Sequence, residues 1–172
     1  MAITKKLHWF WAWEDDKVEV WLREMSKQGW HFKSAGFPAS FNFEQGEPGD
    51  YTYRLDYFVN RKDIQNYLQL FHDAGWLYLG EMGGWQYFCQ KGLIGEEQEI
   101  YSDKESKTKK YLVLLLYMII FFPILFTFIL LLSRMTNDLV QAFTFIMAVL
   151  MSVYVYAMVQ LLRRISKLRK IF

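Results

Sequence analysis

Residues 111–132, YLVLLLYMIIFFPILFTFILLL, decide the fold, because this stretch contains no charged side chain. A second apolar run, residues 139–162, follows after a six-residue connection. Each run has about the ~20 residues that an α-helix needs to cross the hydrocarbon core of a bilayer. A long helix in a soluble protein would keep a polar face toward water. The sequence therefore predicts a transmembrane helical hairpin over residues 111–162 rather than a buried pair of helices.

The basic residues around the two runs predict their orientation. Four lysines lie within residues 104–110 and five Lys or Arg within residues 163–170, whereas the connection between the runs holds only Arg134. Basic residues that flank membrane helices are retained preferentially in the cytoplasm. We therefore expect a cell-membrane protein with two spans and with both termini cytoplasmic. Residues 1–91 then form a cytosolic domain, residues 92–110 a charged linker, and residues 163–172 a basic tail that contacts the lipid bilayer.

The composition of the polar half argues against several functions. Residues 1–95 carry ten basic and twelve acidic side chains, so the domain lacks the basic surface of a nucleic-acid-binding protein. Cys89 is the only cysteine, which excludes an internal disulfide and a thiolate metal cage. The three histidines lack metal-ligand spacing, and no phosphate-binding loop or nucleophile motif occurs. We therefore expect a non-enzymatic protein without a cofactor, a metal site or a nucleic-acid partner.

The cytosolic half contains an internal repeat. Residues 7–13 alternate in a period of two and predict a strand buried on both faces. A helix that ends at Gly29 and strands near residues 30–34 and 39–43 follow. The same order then recurs, from an alternating stretch at residues 51–59 to a strand at residues 85–89. A shift of 46 residues superimposes the following pairs: Trp9 and Leu55, Val18 and Ile64, Trp21 and Tyr67, Leu22 and Leu68, Met25 and Phe71, Gly29 and Gly75, Trp30 and Trp76.

The repeat predicts the architecture of the domain. Each unit, about residues 5–45 and 51–90, is a strand-helix-strand-strand module with one helix, too little to cover its own sheet. Two units should therefore pair about a pseudo-twofold axis and share a core. The predicted fold is α+β, with two helices on one side of an antiparallel-rich sheet, followed by the membrane hairpin.

Several short motifs resemble one bacterial family. They are Trp21-Leu22, Gly29-Trp30, the sequence YTYRLD at residues 51–56, DAGW at residues 73–76 and WQYF at residues 85–88. In this order they resemble the bacterial domain of unknown function 2812. The resemblance implies a membrane-anchored protein, often encoded beside a PadR-like transcriptional regulator, and it implies no reaction. The repeated module is also similar in outline to GyrI-like domains, in which two repeats enclose a small-molecule cleft.

The candidate site is aromatic. All seven tryptophans precede residue 86. Trp9, Trp11 and Trp13 on one strand face, together with Trp76 and Trp85, would floor an open cleft, and Arg54 and Asp56 on the opposite face of their strand would supply its polar groups. Such a cleft suits a flat or cationic amphiphile. Alternatively, the rings simply fill the core of a small domain, and Arg54 and Asp56 form a structural pair.

Two functions remain open from the sequence. The first is a membrane-anchored cytosolic module, sensory or regulatory in the cell envelope, that binds a small amphiphilic ligand or a protein partner such as a regulator. The second is an accessory subunit of a larger transporter or enzyme complex, bound through its hairpin.

Overall fold

The computed structural model describes residues 3–37, 39–60, 62–92 and 104–170. The chain divides into two compact units, Met1–Ser102 and Asp103–Phe172. Within the described residues, the first unit holds six strands and two helices, and the second unit holds two long helices. The predicted combination of an α+β domain and an apolar helical hairpin is confirmed.

Each half of the first unit is a strand-helix-strand-strand module, as predicted. The first module consists of β1 (Ile3–Leu7), α1 (Asp15–Lys27), β2 (Trp30–Gly36) and β3 (Ser40–Gln45). The second consists of β4 (Tyr51–Tyr57), α2 (Ile64–Asp73), β5 (Leu77–Met82) and β6 (Trp85–Lys91). Each module forms its own three-stranded antiparallel sheet, in the orders β1-β3-β2 and β4-β6-β5. The last strand of each module is therefore the central strand of its sheet.

Details of backbone geometry repeat at the same interval. Gly29 and Gly75, which follow the ends of α1 and α2, both have a φ of 82°, a conformation that glycine adopts without steric cost. The β2–β3 pairing shifts register between Phe32 and Ser34, and the β5–β6 pairing shifts between Tyr78 and Gly80. The two bulges and the two glycines each lie 46 residues apart, so the modules match in detail as well as in topology.

The first strand departs from the prediction. β1 ends at Leu7, and Trp9, Trp11 and Trp13 lie in the connection of residues 8–14 rather than on a strand buried on both faces. Leu7 pairs with Ser40 at the start of β3, so the chain beyond it has little of β3 left to pair with. The register also makes Leu7 equivalent to Asp56, because Asp56 pairs with Gln86. The predicted alignment of the first strands, Trp9 with Leu55, is therefore wrong by three residues.

The two modules share one core, which α1 fills. Val18, Leu22 and Met25 of α1 cluster with buried residues from both sheets: Phe32, Phe41, Phe43, Tyr53, Leu55, Tyr87 and Cys89. Burial of about ten such side chains, each worth roughly 1.5–3 kcal/mol, is the main stabilising contribution in this unit.

The prediction that the two helices lie on one side of one sheet is wrong. Phe71 of α2 packs on Trp76 and Phe88 in a second cluster. Phe88 lies between Tyr87 and Cys89 in β6, and neighbouring strand residues point to opposite faces. The second sheet is therefore covered by α1 on one face and by α2 on the other, because both of its faces carry large apolar side chains.

The second unit is a helical hairpin. α3 (Lys104–Leu132) and α4 (Asp138–Lys170) pack against each other, and the Tyr154 hydroxyl donates a hydrogen bond to the Met118 carbonyl at 2.7 Å. Asn137 Oδ1 accepts the N–H groups of Leu139 and Val140 and so caps the start of α4. By length and composition, both helices are able to span a membrane, over Thr108–Leu132 and Asp138–Arg169.

Candidate ligand-binding cleft

An open cleft lies in the first unit, between the connection of residues 8–14, the start of α1 and the turn that joins β2 to β3. Its cavity volume is about 190 Å³, and it is open to solvent. Aromatic rings from both modules line most of it: Trp9, Phe10, Trp11, Phe37, Phe41, Trp85 and Tyr87. The cleft is therefore large and apolar enough for a molecule with a single aromatic ring.

A hydrogen-bonded turn holds the aromatic connection in place. The Trp11 N–H donates to Glu14 Oε2 at 3.2 Å, and the Glu14 N–H donates to the Trp11 carbonyl at 2.9 Å. Lys17 Nζ lies 2.5 Å from Glu14 Oε1. The hydrogen bonds from Lys17 and from the Trp11 backbone lower the pKa of Glu14 below its usual value. Glu14 thus connects the loop that carries Trp11 to the first turn of α1.

The aromatic rings of the connection support one another. Trp11 stacks on Trp13 with ring centroids 5.1 Å apart, and Trp9 meets Trp11 edge to face at 5.7 Å. His8 stacks on Trp21 at 4.9 Å, and the backbone N–H of His8 donates to the Ala39 carbonyl. Such ring pairs contribute about 0.5–1.5 kcal/mol each beyond area burial. The wall of the cleft is therefore prearranged.

The mouth of the cleft exposes large apolar side chains to water. Phe37, next to the β2–β3 turn, is 93% exposed, and Trp9 is 63% exposed. Ala39 in the same turn has a φ of 52°, a left-handed conformation that is uncommon for a residue with a Cβ. Phe37 thus projects from a tight turn beside the cleft, where a bound molecule would cover part of it.

Sequence reasoning found part of this site. Of the predicted site residues, Trp9, Trp11 and Trp85 line the cleft, and Trp13 stacks behind Trp11. Trp76 does not line it, since this side chain is 4% exposed and packs beneath α2. The sequence analysis missed Phe37, Asp15 and His8, which the fold brings to the cleft from separate segments. Only the glycine-proline turn signal around Phe37 pointed to an exposed position.

The polar residues expected at the site have other partners. Arg54 Nη1 lies 3.3 Å from Glu19 Oε2, and Asp56 Oδ2 accepts a hydrogen bond from the Tyr67 hydroxyl at 2.8 Å. Neither Arg54 nor Asp56 is among the residues that line the cleft. Burial, together with the neighbouring Asp56, raises the pKa of Tyr67, so its hydroxyl remains a donor. These two residues join elements of the fold rather than the wall of the cleft.

Glu19 also covers the free edge of the second sheet. Its Oε1 accepts the Leu55 N–H at 2.8 Å, and β4 is the outer strand of that sheet. An outer strand that exposes its N–H groups is a template for unwanted pairing. Helix α1 therefore both fills the shared core and closes one sheet edge next to the cleft.

Metal-binding and nucleophilic side chains were compared with the cleft within the described part of the chain. No group of three or more His, Cys, Asp or Glu side chains among them is placed to hold a metal ion. Cys89 is buried in the shared core, and desolvation raises the pKa of its thiol to about 11. A thiol with so high a pKa is a weak nucleophile at neutral pH.

Fold and cleft together define a class of protein, namely a duplicated α+β domain with an aromatic cleft, joined in one chain to an apolar helical hairpin. The family model described as "Protein of unknown function (DUF2812)" matches residues 14–123, from just before α1 to the middle of α3. Because the match covers more than half of the chain, the protein belongs to this family, and the resemblance inferred from its motifs is confirmed. No curated protein and no solved structure matches the chain.

Proposed function

We propose that this protein is a membrane-anchored binding protein whose cytosolic domain takes up a small, ring-bearing amphiphile in the aromatic cleft. The observation that carries the proposal is the open cleft, with a cavity volume of about 190 Å³ and walls of rings from both modules. An apolar cavity of about 150 Å³ is sufficient to bind benzene, so a cleft of this size accommodates a single aromatic ring. A domain of this size would normally use such rings to fill its core rather than leave them around an open space.

The helical hairpin supports the proposal that the protein is anchored in a membrane. Its two helices are long and apolar enough to cross a bilayer, and the basic flanks favour an orientation with both ends in the cytoplasm. An anchored domain samples the water beside the membrane, where amphiphiles concentrate. Binding there would allow the protein to report on molecules that enter the cell envelope, which is a sensory or regulatory role.

Tryptophan fluorescence of the full-length protein in a non-ionic detergent tests ligand binding. We expect a water-soluble aromatic alcohol such as benzyl alcohol to change the emission saturably, because the rings of Trp9, Trp11 and Trp85 surround the binding space. W11A should weaken the affinity about tenfold, the effect of losing one ring contact together with its apolar area.

The control variant is W76F, which changes a tryptophan outside the cleft and should leave the affinity unchanged. A linear, non-saturable response, or equal affinities of wild type and W11A, would contradict the proposal.

Cysteine labelling tests the orientation. Cys89 is buried and has a raised pKa, so it gives little background with a membrane-impermeant maleimide. In intact cells, S133C in the connection between the helices should react, whereas K167C near the end of α4 should react only after lysis. The reverse pattern would place the domain outside the cytoplasm.

A further inference from the structure

The cleft lining contains an acidic side chain but no lysine or arginine among its described residues. Among its described lining residues, Asp15 carries the only carboxylate, and no Lys or Arg is present. Asp15 is 4% exposed although it is an acidic residue. Tyr87 also lines the cleft, but burial raises the pKa of its hydroxyl, so it stays neutral. The described lining therefore contains one acidic side chain and, apart from His8, no basic one.

The position of Asp15 keeps this negative charge in place. It lies in the first turn of α1, where the partial positive charge of the helix terminus stabilises a carboxylate. Its burial reduces screening by water, so its field acts more strongly inside the cleft than at the surface. Asp15 is thus an acidic residue in a lining that otherwise consists mainly of apolar residues.

The aromatic walls favour the same sign of ligand charge. The face of an indole ring carries partial negative charge and attracts a cation placed over it. Trp9, Trp11 and Trp85 come from two different segments, so a ligand in the cleft meets indole rings from more than one direction. A carboxylate and several indoles around one space form the combination that recognises quaternary ammonium groups.

We infer that the cleft selects organic cations with an aromatic or apolar body, with Asp15 as the counter-charge. This inference rests on the proposed small-molecule binding and adds the charge of the ligand. Anions are disfavoured by both Asp15 and the ring faces, and a neutral molecule of the same shape gains only the apolar contacts.

Calorimetric titration of the full-length protein in a non-ionic detergent at pH 8 tests the inference. Three probes share a benzyl group and differ in charge: benzyltrimethylammonium, benzyl alcohol and phenylmethanesulfonate. We expect the cation to bind at least tenfold more tightly than the alcohol, which corresponds to about 1.4 kcal/mol, and the sulfonate to bind most weakly.

Two matched variants assign the selectivity to one carboxylate. D15N removes the buried charge and should bring the ratio of cation to alcohol affinity close to one. D16N makes the same chemical change one residue later, at an exposed position, and should keep the tenfold ratio. Circular dichroism and the unfolding midpoint show whether each variant is folded, and the wild-type ratio decides the matter even if D15N is not.

The outcomes separate this inference from the proposed function. If wild type binds the cation and the alcohol equally, or if D15N keeps the ratio, the cleft binds small molecules but the charge selection is wrong. If wild type binds none of the three probes, or binds them unchanged after W11A, the proposed binding function itself is wrong. A higher affinity for the sulfonate than for the cation also overturns the inference.

Discussion

The two modules of the domain share a topology but differ in the connection between first strand and helix. In the first module, residues 8–14 carry three tryptophans and Phe10, whereas the connection at residues 58–63 of the second is mostly polar. His8 stacks on Trp21 at 4.9 Å, and Phe58 stacks in the same way on Tyr67 at 4.0 Å. The shared stack anchors both connections, and the residues beyond it decide what each connection does.

The hollow beside each connection differs accordingly. The second module has a hollow of about 330 Å³ lined by Phe58, Val59, Asn60, Ile64, Glu81, Gly83 and Gly84. Phe37, which lines the aromatic cleft, is replaced there by Gly83 at the same repeat interval. One scaffold thus offers two equivalent depressions, and only the first carries the aromatic wall. The internal repeat accounts for the fold, and the composition of the connection of residues 8–14 accounts for the candidate site.

The largest effect on stability is expected at the leucine that occupies the same repeat position in both helices. Leu22 in α1 is fully buried in the core of both modules, whereas its counterpart Leu68 in α2 is only partly buried. Leu22→Ala should lower the free energy of unfolding by about 3–5 kcal/mol, and Leu68→Ala by about 1–2 kcal/mol. Denaturant unfolding of the full-length protein in detergent measures both. Equal losses would mean that the modules are packed symmetrically after all.

A second comparison uses the glycines that end the helices. A Cβ on Gly29 would lie 2.7 Å from the backbone oxygen of Gly46, whereas a Cβ on Gly75 would meet only the flexible amide of Gln90 at 3.0 Å. Both substitutions incur the left-handed cost of about 1–2 kcal/mol. We expect Gly29→Ala to lower the unfolding free energy by about 2 kcal/mol or more and Gly75→Ala by about 1 kcal/mol. A larger loss for Gly75→Ala would contradict the described contacts.

The third pair tests the covered sheet edge. Glu19→Ala removes the acceptor of the Leu55 N–H and should cost about 1–3 kcal/mol of stability. Gln65 occupies the equivalent position in α2, is exposed, and should tolerate alanine within about 0.5 kcal/mol. Thermal unfolding of both variants measures the difference. If Gln65→Ala is as costly, α2 covers an edge as α1 does.

The smallest effect concerns pH and the aromatic connection. The folded pKa of Glu14 is lowered, so its stabilising contact is present above the usual carboxyl pKa and is lost as the pH falls through the lowered value. Acid should therefore loosen the loop and increase quenching of tryptophan emission by acrylamide. Asp50, whose pKa Arg23 lowers, titrates in the same direction, so E14Q is the necessary control. An identical acid response in E14Q would show that Glu14 does not hold the loop.

The sequence predicted the elements that depend on local pattern. The 46-residue repeat, the helix ends at Gly29 and Gly75 and the apolar hairpin all follow from spacing or composition, and the structure contains each of them. The first strand was misplaced because alternating tryptophans look the same in a strand and in a loop whose rings stack on one another. Pairing with β3, which periodicity does not reveal, decides between the two.

The cleft was only partly predictable, because its lining depends on tertiary packing that sequence periodicity does not reveal. Trp9 and Trp11 could be assigned to the cleft from their residue type. Trp76 packs instead with Phe71 of α2 and Phe88 of β6, because the second sheet is covered on both faces. Asp15 looked like an ordinary first-turn carboxylate, and its place in the wall depends on how α1 meets both sheets. Arg54 and Asp56 were assigned to the site by strand alternation, whereas their partners Glu19 and Tyr67 lie on the two helices.

Photolabelling tests the central claim, that the first module's aromatic cleft binds a small molecule, most directly. The full-length protein in non-ionic detergent is irradiated with a benzyl-type probe that carries a diazirine, and the labelled peptides are identified by mass spectrometry. We predict saturable labelling of residues 8–14 and of the peptide with Trp85, suppressed by excess unlabelled probe and reduced in W11A. Labelling confined to residues 111–162, or spread equally over both modules without competition, would contradict the claim.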